Sequence, residues 1–156
     1  MGLQENIARE PVSRLELRNP VLATAQETVR NCIAKMRTQK LGCTVIVDGE
    51  KKPIGMLTEG MLTRMVAQQQ IFLDDPVSEH MTTQWPWVQL TDPISEVLSA
   101  MEIKNTRFLC VLDEEGRIVG LTGQRGLMEY VVEHFPEQVM VQRLGCTPYL
   151  QEREGA

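Results

Sequence analysis

Basic excess, long apolar runs, aromatics and histidine are all scarce in this chain. Lysine and arginine total 16 against 21 aspartates and glutamates, a formal net charge of −5. That balance argues against a nucleic-acid partner, because phosphate contacts need a clustered basic face. Two Trp, two Tyr and three Phe are too few for interleaved base-stacking platforms. No apolar run approaches a bilayer span, and Met1–Glu10 lacks the build of a signal peptide. A soluble, cytoplasmic protein with neither membrane nor nucleic acid as partner is expected.

Chemistry-bearing clusters are missing too. Cys32, Cys43, Cys110 and Cys146 are scattered, with no CxxC pair and no histidine at zinc spacing. Reduced thiols are therefore expected, with Cys43 and Cys110 acting as small hydrophobes inside β-like runs. His80 and His134 are expected on helix surfaces, with no acid or nucleophile beside them. No nucleophile–base pair, glycine-rich phosphate loop or acid cluster at metal spacing stands out, so neither catalytic nor metal-binding residues are expected. A non-enzymatic protein follows.

What is present is a globular composition, 42% apolar and 24% charged over 156 residues. It is also an internal repeat. Displaced by 65 residues, Glu10–Ala67 aligns without a gap on Asp75–Val132. Pro11-Val12-Ser13 falls on Pro76-Val77-Ser78, Met36 on Met101, Asp48 on Asp113, Gly55 on Gly120, Leu62 on Leu127 and Val66 on Val131. The apolar pattern persists where identities do not. Units of 10–67 and 75–135 are expected, with 136–156 as a tail.

Each copy reads as β-α-β-β-α. Val29, Cys32, Ile33 and Met36 have the spacing of one helix face, as do Ile94, Val97, Leu98 and Met101. Asp92-Pro93 resembles an N-cap followed by proline in the first turn. β-rich runs Cys43–Val47 and Phe108–Leu112 each end in Asp and a turn. Ile54–Leu57 and Ile118–Leu121 follow as strands. Met61, Leu62, Met65 and Val66, then Leu127, Tyr130 and Val131, line closing helices, the last stopping near Phe135 before Pro136. Short strands around Val21–Ala23 and Val88–Leu90 open the units. Copies this small bury too little surface alone, so they should pack together.

The doubled pattern, with a β run ending in Asp and then Gly-h-h-Thr leading into a helix, resembles the CBS domain, and the tandem resembles a Bateman module. The resemblance spans about residues 10–135. It implies an α+β fold of two βαββα repeats packed as a pseudo-two-fold pair, assembled as a homodimer. It also implies a regulatory ligand, such as AMP, ADP, ATP or S-adenosylmethionine, in a cleft between repeats, read out by a protein target. The ligand-contact positions it implies are Thr24, Cys43, Thr44, Val45, Thr58, Met61, Gln89, Phe108, Leu109, Cys110, Gly123 and Gly126.

The match departs from the family at the sugar. Thr58 holds the phosphate-side hydroxyl position of the first copy, and Gly123 that of the second. The ribose-binding aspartate positions are Met61 and Gly126. Arg64 and Arg125 are the cations singled out as able to reach a phosphate. The alternative is a degenerate pair serving as a dimerising scaffold. Clefts filled by Met61, Trp85 or Trp87 would mark that scaffold, and open clefts a sensor.

Overall fold

The computed structural model describes residues 2–136. Helix α1 (Leu3–Arg9) precedes the first unit. That unit comprises β1 (Leu22–Ala23), α2 (Val29–Gln39), β2 (Cys43–Val47), β3 (Pro53–Thr58) and α3 (Glu59–Ala67). The second comprises β4 (Trp87–Gln89), α4 (Ile94–Lys104), β5 (Phe108–Leu112), β6 (Ile118–Gly123) and α5 (Gln124–His134).

Local chemistry sets the boundaries. The Thr28 hydroxyl accepts from the Asn31 N–H at the start of α2. Lys40 and Asn105 end α2 and α4 in the left-handed conformation, with φ of 53° and 47°. Asp92 does not cap α4, contrary to expectation. Its carboxylate accepts from the Gln89 N–H at 2.8 Å, and extended Pro93 occupies the cap position. The hairpin turns are built alike. Asp48 accepts from the N–H groups of Glu50 and Lys52, and Asp113 from those of Glu115 and Arg117.

Each unit holds a three-stranded sheet with its middle strand parallel to the first and antiparallel to the third. The parallel pairing needs a crossover, which α2 and α4 supply. Strand alternation then divides the core. Cys43, Val45, Val47, Cys110 and Leu112 point to a central cluster shared by both sheets. Ile46 and Leu57 face the helices of the first unit; Leu109 and Val111 face those of the second.

The units exchange their leading segments. Val12 and Leu15 are buried in the helix-side core of the second unit, joined there by Leu3 and Ile7 of α1. Phe72 and Val77 are buried in the core of the first. Isolated bridges Pro11↔Pro93 and Thr28↔Pro76 mark the two crossings.

The structural repeat is not gapless. Leu17 lies against Gly120 and Met81 against Gly55, while Arg18 bridges Leu121 and Thr82 bridges Met56. These pairs are one residue out of step with the displacement of 65 residues that relates the rest. Step is regained where the Val21 and Pro86 carbonyls accept from the N–H groups of Val45 and Cys110. The second copy thus has one extra residue between bridge and strand, in the stretch that contains Trp85.

Candidate functional site

A cleft of about 250 Å³ opens where the two units meet. The start of α5 and the end of β6 form one wall through Leu121, Thr122, Gly123, Gln124, Arg125 and Gly126. The segments leading into β2 and β5 contribute Lys40–Cys43 and Arg107–Phe108, and the segment preceding β1 contributes Glu16 and Arg18. Leu41, Cys43, Phe108 and Leu121 make its surface apolar in part. A second hollow shares Glu16, Arg18, Leu41 and Arg125 with it and so extends it outward.

Two glycines shape the wall. A Cβ at Gly123 would run into the carbonyl of Arg107, and one at Gly126 would stand 2.9 Å from Thr122 Oγ1. Close approach of the backbone requires glycine at 123, and at 126 a Cβ would force the Thr122 hydroxyl to shift.

Charged side chains ring the lining. Arg18, Lys40, Arg107 and Arg125 are exposed cations, set against the single carboxylate of Glu16. Arg125 also pairs with Glu129 at 2.8 Å. Sequence reasoning singled out Arg125 alone among these four. Arg18, Lys40 and Arg107 are distant in the chain and lie in loops, where no periodicity marks them. Arg64, the other cation singled out, is exposed on α3 and does not line this cleft.

The positions equivalent to these four cations by the repeat are uncharged, and one of them, Gly42, lines the same cleft. Gly42 corresponds to Arg107, Gly60 to Arg125 and Asn105 to Lys40, while the bridge register pairs Thr82 with Arg18. Neutral Gln124 corresponds to Glu59, whose carboxylate lies 3.1 Å from where a Gly42 Cβ would be. Thr58 caps α3 by accepting from the Met61 N–H at 3.3 Å. Met61 packs on the helix-side core, and Trp85 packs on the central cluster with its indole N–H buried and unpartnered. Trp87 is 51% exposed.

Of the twelve positions named from sequence, the open cleft gathers Cys43, Phe108, Gly123 and Gly126. Thr44, Val45, Leu109 and Cys110 are buried within the middle strands. Thr24 is exposed beyond β1, and Gln89 lines a separate hollow with Asp113 and Arg117. Burial pushes the Cys43 thiol up to about 12, aided by the charge of Glu59; burial, with Cys43, does the same for Cys110. Neither is a nucleophile at neutral pH. Cys32, Cys43 and Cys110 are free thiols; Cys146 and most of the tail lie outside the described residues.

His80 does have an acid partner, against expectation: its Nε2 lies 2.8 Å from Asp75 Oδ2, across the turn Val77–Glu79. Donor atoms of Asp75, Glu79 and His80 lie within 4.8 Å of one another, and that short bond already engages two of them. His134 is exposed and stacks on Tyr130.

The CBS-domain family model matches residues 12–68 and 77–133. The chain belongs to the CBS-domain family. As a CBS pair it is 25% identical over 133 residues to uncharacterized protein MK0525 of Methanopyrus kandleri, spanning 82% of this chain and 67% of that one. A structure of the CBS domain protein PAE2072 from Pyrobaculum aerophilum, complexed with AMP, superposes with a TM-score of 0.69 at 27% identity, covering 76% of this chain and 90% of that one. A CBS-domain protein from Bacillus anthracis gives a TM-score of 0.72 at 14% identity, covering 84% and 99%, and supports the fold. No helix among the described residues is long and apolar enough to cross a membrane.

Proposed function

We propose that this CBS pair is a non-catalytic regulatory module that binds an adenosine nucleotide in the cleft walled by Gly123–Gly126. The observation carrying this reading is that cleft: apolar in part, open, and rimmed by four cations in a chain of net charge −5. Phosphate favours such a rim, and an aromatic base favours Leu41, Phe108 and Leu121. The likeness to an AMP-bound CBS protein supports the ligand class. Ligand binding favours one relative orientation of the two units, and a protein target reads the resulting surface. Assembly as a cytoplasmic homodimer belongs to the same reading. The exposed Val66, Leu98, Ile103, Met128 and Val132 of α3, α4 and α5 supply apolar surface for it.

A thermal-shift and calorimetry series with AMP, ADP, ATP and S-adenosylmethionine tests the proposal. A ligand that binds only the folded state must raise its melting temperature. Silence from all four at millimolar concentration would end the sensor reading. It would favour the scaffold, which the packing of Met61 and the capping role of Thr58 support in the first unit and the packing of Trp85 on the central cluster supports in the second.

A further inference from the structure

Away from the open cleft, a short turn gathers three side chains of the metal-binding kind. Donor atoms of Asp75, Glu79 and His80 lie within 4.8 Å of one another, and His80 Nε2 stands 2.8 Å from Asp75 Oδ2. Sequence spacing alone points to no metal ligand here; the turn Val77–Glu79 makes the cluster.

The other copy shows that the fold does not need this set. Displaced by 65 residues, Asp75, Glu79 and His80 correspond to Glu10, Arg14 and Leu15. The two turns close alike, with the Leu15 N–H donating to the Val12 carbonyl and the His80 N–H to that of Val77. Leu15, however, is a buried core residue, and the Glu10 carboxylate accepts from Tyr130. The second copy therefore sets an imidazole where packing takes a leucine, and a carboxylate where the first copy has a cation. One carboxylate is enough to satisfy a histidine. The second leaves a surplus of negative charge, which a dication would neutralise.

Two of the three donors are already held in place. The edge of His80 meets the ring of buried Phe72 with centroids 6.1 Å apart. On the backbone, Val29 N–H donates to the Asp75 carbonyl at 3.1 Å, and Val77 N–H to that of Glu27 at 2.7 Å. Only the exposed Glu79 has to swing inward. With bonds near 2.1 Å, neighbouring ligands of a tetrahedral ion stand about 3.4 Å apart. A slight opening of the Asp75–His80 pair and a closing of Glu79 meet that spacing. An imidazole with two carboxylates suits zinc, whereas magnesium prefers oxygen ligands and keeps several waters.

We infer that Asp75, Glu79 and His80 bind one zinc ion per chain, with water on the solvent side. The ion takes the place of the proton shared by Asp75 and His80. It stiffens the stretch that buries Phe72 and Val77 in the core of the first unit. None of the three residues lines the open cleft, so the inference stands or falls apart from the nucleotide reading.

Calorimetry and thermal melts of the metal-stripped full chain with zinc chloride, and in parallel with magnesium chloride, test it. The expected result is one zinc per chain and a melting temperature that rises with zinc and not with magnesium. With two histidines in the chain, ring NMR signals report which one binds, and only those of His80 should shift. His80→Leu, which restores the residue of the first copy, should weaken zinc by more than about tenfold, since even partners outside the ligand set cost that much. Glu79→Gln should do the same, and because Glu79 is exposed this variant keeps the test open if His80→Leu fails to fold. Zinc affinity unchanged in either folded variant would overturn the inference. So would an equal response to magnesium, a shift of His134 in place of His80, or no binding at millimolar zinc.

Discussion

Thr44 and Thr122 are buried threonines in the strands, and each has a hydroxyl without a hydrogen-bond partner. An unmatched buried hydroxyl opposes folding, so its replacement by a methyl of similar shape is favourable. Thr44→Val is expected to raise stability by about 1 kcal/mol in urea unfolding; a fall would mean that the hydroxyl has a partner. Cys43 and Cys110 make a pH prediction. Burial raises both thiols from about 9 to about 12, so the folded state holds their protons more tightly than the unfolded chain. Their contribution is complete below pH 9 and is lost as pH rises toward 12. At pH 8, peptide-resolved alkylation should label both only as fast as the fold opens. Prompt labelling would contradict their burial.

The element that matters most for the site is the junction of β6 with α5. Its counterpart, β3 with α3, is held by a Thr58 cap, which Gly123 cannot provide. Thr58→Ala should therefore cost about 1 kcal/mol, the usual worth of an N-cap. Gly123→Ala should cost more, about 2–3 kcal/mol, because its Cβ has no space beside the Arg107 carbonyl. A smaller loss for Gly123→Ala than for Thr58→Ala would show that the wall yields. Helix α5 is also tied to the N-terminal segment. Tyr130 donates to Glu10 Oε2 at 2.8 Å, and burial together with that bond pushes its phenol up to about 12.

At the scale of the molecule, the exchanged leading segments couple the two units. The first segment completes the core of the second unit, and the stretch from Phe72 to Val77 completes the core of the first. Neither core is whole without chain from the other side. One unfolding transition is expected in calorimetry, with equal calorimetric and van 't Hoff enthalpies. Two resolved transitions would show that the units fold independently.

The sequence by itself determined the repeat, the element order and the hairpin turns. Those features rest on local chemistry: apolar periodicity, β-rich runs five residues long, and Asp at matching turn positions. Cys43, Phe108, Gly123 and Gly126, which the family pattern marks, line the open cleft. Tertiary structure decided the rest of the site. Arg18, Lys40, Arg107 and Arg125 meet only because two sheets share one core and bring three separate loops and the start of α5 to one rim. The one-residue slip that includes Trp85 was equally invisible, because a sequence alignment scores similarity and not register. The opening scarcity of positive charge remains true of the whole chain and fails at this cleft, where folding concentrates it.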